Sequence, residues 1–249
     1  MAFAVFGPGS LYLTRTDVSN STPINIGYAQ EFSLDQSAEN KELFGQNQYP
    51  LVVARGTVKI TGKAKAAEIS GIALNNAWMG ESSFATGQIL MAQGEAGSVP
   101  APAGPYTITV SHSANFDADM GVLYASTGLP FQKVASGPTT GQYSVSAGVY
   151  TFAAADTGIA VLITYAYTSS SGGQKLTATN RPIGFTPTFQ LDYVTSLQSK
   201  PYYLRLFSCV SSKLSQSFKL TDFSMPEIDF SVFANSAGNV YTASYPEVG

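Results

Sequence analysis

Charge, histidine, cysteine and long apolar runs are all scarce in this sequence, and each shortage removes a class of protein. Charged residues are 12% of the 249, about half of the roughly 25% usual in soluble domains. The sole histidine, His112, leaves most metal sites and nucleophile–base triads without their parts. It stands in the polar string Ser111-His112-Ser113-Ala114-Asn115 and reads as a solvated turn residue rather than a general base. The sole cysteine, Cys209, has no partner for an internal disulfide. Within the apolar-rich run Tyr202-Tyr203-Leu204-Arg205-Leu206-Phe207-Ser208-Cys209-Val210 it reads as a small buried hydrophobe, without the electropositive setting of a reactive thiol.

No apolar stretch approaches the roughly 18 residues of a membrane span, and Met1-Ala2-Phe3-Ala4-Val5-Phe6 lacks the basic start of a secretory signal. A soluble chain, intracellular at synthesis, is expected. A net charge of −3 and a pI near 5.1 omit the Lys/Arg excess of a phosphate-led nucleic-acid binder. Asp117 and Asp119 are candidate calcium ligands or an acid–base pair, yet no ligand series ending in a glutamate follows them. Gly7-Pro8-Gly9 has no Lys-Ser/Thr after it, so no phosphate-binding loop forms there. The inventory predicts a protein that is not an enzyme and takes no cofactor or metal.

What is present is aromatic and apolar: 14 Tyr, 15 Phe and 44% hydrophobic residues beside 23 Gly. Protein–protein contacts deplete Lys, Glu and Asp and favour aromatics, so this composition suits a chain whose faces are covered by neighbours.

Along the chain, short alternating runs predict strands. They are Leu11-Tyr12-Leu13-Thr14-Arg15-Thr16, a run over 24–34, and another over 51–63. Between the last two lies a polar stretch over 35–50, read as a loop far longer than the usual 2–5 residues of a hairpin, and such loops have a job. Alanine-rich 64–79 predicts the one helix, with Ile69, Ile72, Ala73 and Met79 on its core face, Trp78 and Met79 as core contacts, and Gly80 as a left-handed cap. Gly, Ala and Pro over 93–105 mark a boundary. Beyond it, β-branched and aromatic runs near 106–110, 121–125, 131–135, 142–145, 149–152 and 159–167 predict a small antiparallel sandwich or barrel. Strand patterns return at 184–193, 202–210 and 217–233, the last interrupted by Pro226. The expected fold is mainly β: an antiparallel β-sandwich or barrel from 1–97 and 175–249, one flanking α-helix, and an inserted β module over 98–174.

The string Lys41-Glu42-Leu43-Phe44-Gly45-Gln46-Asn47-Gln48-Tyr49-Pro50, continued by Val53-Ala54-Arg55-Gly56 and Lys59-Ile60-Thr61-Gly62-Lys63-Ala64-Lys65, resembles the corresponding stretch of bacteriophage tail tube (major tail) proteins. Gly148-Val149-Tyr150-Thr151-Phe152-Ala153-Ala154-Ala155-Asp156 and the run from Lys219 to Phe230 also resemble such virion proteins. The resemblance implies a tail-tube-like subunit that assembles with itself into stacked homohexameric rings around a channel for viral DNA in transit. It implies a place in the virion tail after assembly in the host cytoplasm. Baseplate and tape-measure proteins would be partners, and a tail sheath if the tail contracts. Sheet edges of adjacent subunits would pair around the ring, and the inserted module would decorate the outside or strengthen ring contacts.

In that family the long excursion between early strands commonly reaches a neighbouring subunit, which makes Lys41, Glu42, Phe44, Gln46, Gln48, Tyr49 and Arg55 the candidate intersubunit contacts. Phe44 and Tyr49 have two destinations open, their own core or a neighbour. A β-rich receptor- or carbohydrate-binding module of a phage fibre or baseplate is the other class the composition admits. The single Trp78 counts against it.

Overall fold

The computed structural model of the chain describes residues 9–68, 70–82, 84–100, 104–169, 171–197 and 200–246. The starting string Met1 to Phe6 and Ile69 therefore lie outside the described residues. The chain divides into two compact units, one from the stretches up to Ser82 and from Ala178 onward, the other from Ser83–Thr177. In chain order the elements are β1 (Gly9–Arg15), β2 (Ile24–Phe44), β3 (Pro50–Ala66), α1 (Gly71–Leu74), a π turn (Asn75–Met79), β4 (Ala85–Thr86), β5 (Ile89–Ser98), β6 (Thr107–Thr109), β7 (Phe116–Tyr124), β8 (Gln132–Lys133), β9 (Gln142–Ser146), β10 (Val149–Phe152), β11 (Ala160–Thr168), β12 (Gln174–Lys175), β13 (Thr188–Leu197), β14 (Lys200–Ser215), β15 (Glu227–Val232) and β16 (Tyr241–Ser244). The fold is mainly β, and the pairings among the described residues are antiparallel apart from the short parallel match of β8 with β9.

In the first unit the sheet closes on itself. Its order runs β13-β1-β2-β3-β15-β14, and β14 then pairs back onto β13, while β16 lies against β14. Successive side chains of a strand point to opposite faces, and here the inward set is apolar: Leu11 and Leu13, Ile26, Phe189 and Leu191, Leu204 and Leu206, Ile228 and Phe230 form one buried core. Phe32 stacks on Tyr193 with ring centroids 4.5 Å apart. Gly62 is glycine because the Phe230 ring lies where a Cβ would stand, with the Ser33 carbonyl oxygen 2.9 Å from that point.

Four expectations are corrected. The helix expected over 64–79 begins later, because β3 continues through Ala66 between β2 and β15. Strand pairing on both sides overrides the helix preference of alanine, which is a weak prior. After β3 the chain makes one α turn capped by Ser70, whose hydroxyl accepts from the Ala73 N–H at 3.3 Å, then the π turn closed by Gly80 at φ 68°. Ala73, Leu74 and Ala77 are buried, whereas Ile72 and Trp78 are exposed and Met79 is half-buried. The stretch over 35–50, read as a loop, is mostly strand: β2 runs to Phe44 and β3 starts at Pro50. The boundary read over 93–105 falls earlier, because β5 pairs with β11 inside the second unit. The strand expected over 217–233 starts only at Glu227, and 216–226 is irregular up to Pro226, whose nitrogen has no hydrogen to donate.

The second unit has two sheets, β6-β10-β9-β8 and β5-β11-β7, whose inner faces share one core of Val122, Val161, Ile163 and Tyr165 with Tyr143, Tyr150 and Phe152. A two-strand pairing of β4 with β12 brings the ends of the unit together. Inside it, the Asp119 carboxylate accepts from the Tyr143 hydroxyl at 2.8 Å, the Tyr150 hydroxyl at 2.9 Å and the Gly121 N–H at 3.1 Å, and pairs with Lys133 Nζ at 2.9 Å. Burial raises the pKa of this carboxyl, but the donations from Lys133, Tyr143, Gly121 and Tyr150 together outweigh it and hold it below the ordinary range. Burial first, then the carboxylate, pushes both tyrosine hydroxyls far up.

Asp119→Ala leaves two hydroxyls without an acceptor and is expected to destabilise the second unit by about 2–4 kcal/mol, read as a lowered midpoint in thermal or urea unfolding. Since the folded carboxyl titrates below its unfolded value of about 4, the stabilisation is complete above that pH and is lost as pH falls through the folded value. The difference between wild type and Asp119→Ala should therefore shrink below about pH 4, and a constant difference down to about pH 2 would refute the assignment.

Candidate functional site: an exposed β arm

β2 pairs with β1 only as far as Ala29, and β3 pairs with β15 only from Ile60 onward. Between those limits β2 and β3 pair with each other alone, out to Phe44 opposite Pro50. At roughly 3.4 Å per residue, the two-stranded part beyond Ser37 and Lys59 is an arm roughly 25 Å long. Register shifts at Ala38/Asn40 and Leu43/Phe44 increase its local twist, as bulges do.

All the candidate contact residues lie on this arm. Lys41 stands opposite Ala54, Glu42 opposite Val53, and Arg55 opposite Asn40, while Gln46, Gln48 and Tyr49 form the turn after Phe44. Each of them is exposed. Of the two destinations open to Phe44 and Tyr49, the chain's own core is ruled out: Phe44 keeps 55% and Tyr49 81% of its surface exposed. Leu43, Leu51, Val52, Val53 and Val58 are exposed too. Cross-strand partners share a face, so Leu43 with Val52 lies on one side and Glu42 with Val53 on the other. Among the described residues nothing covers either side. The Lys41–Glu39 pair, 3.8 Å apart and open to water, adds little.

A two-stranded ribbon is at best marginally stable alone in water, and this one carries apolar side chains on both faces with free backbone edges along both strands. Such edges are templates for further strand pairing. The arm thus leaves apolar side chains and strand edges open to solvent.

The outward face of the closed sheet differs. Lys65 reaches Glu31 at 3.2 Å and Glu227 at 3.5 Å, Lys63 reaches Glu227 at 2.9 Å, and Lys213 lies 3.7 Å from Glu227. Hydrogen bonding to Glu227 raises the Lys63 pKa and that to Glu31 raises Lys65. Lys63, Lys65 and Lys213 thus share the Glu227 carboxylate, with Glu31 also beside Lys65.

The residues weighed for chemistry do not converge. His112 is exposed and its ring stacks on Tyr167 with centroids 3.9 Å apart. The Cys209 thiol is buried and pushed far up by desolvation, the opposite of an activated nucleophile. Asp119 is taken up by Lys133 and two tyrosine hydroxyls, and Asp117 is exposed. Among the described residues no group of three or more His, Cys, Asp or Glu could hold a metal ion, and no helix is long and apolar enough to cross a membrane.

Joining Ser37 to Lys59 through Asn-Gly, a turn suited to a two-residue hairpin, removes the arm without touching the core. The shortened chain should fold with its thermal midpoint within a few degrees of wild type, and a loss of folding would show that the arm supports the closed sheet. Comparison with protein-family models gives no match, and neither does comparison with curated proteins.

Proposed function

We propose that this protein is a structural subunit that assembles with copies of itself into stacked hexameric rings, as the tail tube protein of a bacteriophage that conducts the genome during ejection. The observation that carries the reading is the arm: a long, apolar, uncovered ribbon projecting from a closed sheet. Of the sequence strings resembling tail tube proteins, those over 41–50, 53–56 and 59–65 fall on that ribbon and on the β3 strand below it. They supply the ring geometry and the viral setting.

The proposed mechanism is mechanical. Strand pairing already closes the first sheet inside one chain, so joining of copies falls to the arms and exposed apolar side chains rather than to the rims of open sheets. Lys63, Lys65 and Lys213 are each held beside a carboxylate, and a net charge of −3 leaves no excess of cations for the counterion release that drives phosphate binding.

Negative-stain electron microscopy of the purified protein over a range of concentrations tests this. Hollow rings or tubes are expected for the full chain and only dispersed particles for the arm-deleted chain. Dispersed full-length protein at every concentration, also beside tail partners, would defeat the proposal.

A further inference from the structure

Exposed apolar side chains are not spread evenly over this protein. Outside the arm, four large apolar residues among those described keep more than three quarters of their surface open, and three of them fall within six residues: Phe218 at 77%, Leu220 at 103% and Phe223 at 92%. The fourth is Ile183 at 107%. The three belong to the irregular segment 216–226 between β14 and β15. Single exposed apolar residues are ordinary, but a contiguous group of them marks an interaction surface. The charges inside the segment, Lys219 and Asp222, cancel.

This segment and the arm are carried at opposite ends of one strand. Within the closed sheet β3 pairs with β15 from Ile60 opposite Val232 to Lys65 opposite Glu227. The arm leaves beyond the first of these pairs. The segment joins the sheet beyond the last, where the Ala66 N–H donates to the Pro226 carbonyl at 3.1 Å. From Ala66 to Pro50 the strand runs roughly 50 Å at its usual rise per residue, so the turn of the arm does not reach the segment of its own chain. What the outer arm needs is an apolar seat. From Leu43 to Ala54 the sequence holds no charged residue, while Leu43, Phe44, Tyr49, Leu51, Val52 and Val53 are exposed. Ion pairing has nothing to hold there, and removal of apolar surface from water supplies the attraction.

Pairing of arm with arm closes after two copies and leaves 216–226 bare. A contact of arm with segment is head-to-tail, covers both surfaces and continues from copy to copy. We infer that the outer arm of one copy docks on the 216–226 segment of the next, its apolar side chains against Phe218, Leu220 and Phe223. The inference rests on the self-assembly reading, whose rings and stacks need head-to-tail contacts, and names the surface on which the arm lands.

The test combines Leu51→Cys on the arm with Leu220→Cys in the segment of the full chain and treats the assembled protein with a short bis-maleimide. The native Cys209 is buried and stays silent. The double variant should give a ladder of cross-linked oligomers, and each single variant none. Leu51→Cys with Ile183→Cys, whose second site is as exposed as Leu220 but lies outside the segment, should give no ladder. In parallel, Phe218→Ser/Leu220→Ser/Phe223→Ser changes only surface side chains, so it should unfold at the wild-type midpoint yet raise the concentration needed for assembly by about tenfold or more. Cross-linked dimers from Leu51→Cys alone would reveal arm-on-arm pairing. That result, an assembled double variant without a ladder, or triple-serine tubes at the wild-type concentration each overturns the docking and leaves self-assembly standing. A wild-type chain that never assembles overturns both.

Discussion

Hydrogen bonding between β13 and β14 joins the two edges that would otherwise be left at the ends of the first sheet. An open sheet carries a row of unpaired N–H and C=O groups at each side, and this closure uses those rows within one chain. The inward positions of six strands then converge on a single interior, which is why Leu11, Leu191, Leu206 and Phe230 are almost wholly buried. A packed interior has no room for error, and Gly62 beneath the Phe230 ring is the local sign of it. Closure also isolates the arm. Once β1 and β15 have turned away to complete the ring, the far halves of β2 and β3 have only each other.

The second unit solves a similar problem with different materials. Its core is rich in rings, with Phe116 edge-on to Tyr150 at 6.3 Å and Phe131 edge-on to Phe152 at 5.6 Å. Tyrosines bring hydroxyl groups inside, and these must be satisfied. Asp119 answers two of them, and Glu95 accepts from the Tyr165 hydroxyl at 2.6 Å. Desolvation first, then that carboxylate, pushes Tyr165 up to about 12. A few carboxylates thus let large amphipathic side chains serve as core, which fits a chain with little charge to spare.

Much of the fold was legible where one face of a strand is buried and the other wet. The alternation of Leu11 and Leu13, of Tyr150 and Phe152, and of Val161, Ile163 and Tyr165 follows the core face directly. It failed where that contrast is missing. Both faces of the arm are exposed, so Asp35 to Pro50 shows no alternation and reads as loop. β5 holds Gly94 and Gly97 amid alanines, a composition that usually ends structure. Ala64 and Ala66 look helical in isolation, and only the strands on both sides of them decide otherwise. The arm residues Phe44 and Tyr49 could be named from sequence but not their exposure, because burial depends on what lies across the sheet. The cluster of Glu81, Thr179 and Arg181 had no sequence signal at all. Its two halves, Glu81 and Thr179 with Arg181, meet across nearly a hundred residues.

Contacts placed so far apart in the chain bear on how such a protein can change over time. The Glu81–Thr179 contact fixes the places where the backbone leaves the closed sheet and returns to it, and the β4–β12 pairing fixes the corresponding ends of the second unit. Both junctions are local and neither draws on the other's core. The stretch between Glu81 and Thr179 contributes no residue to the first core, so a short linker or another small domain in its place would remove none of that core's side chains.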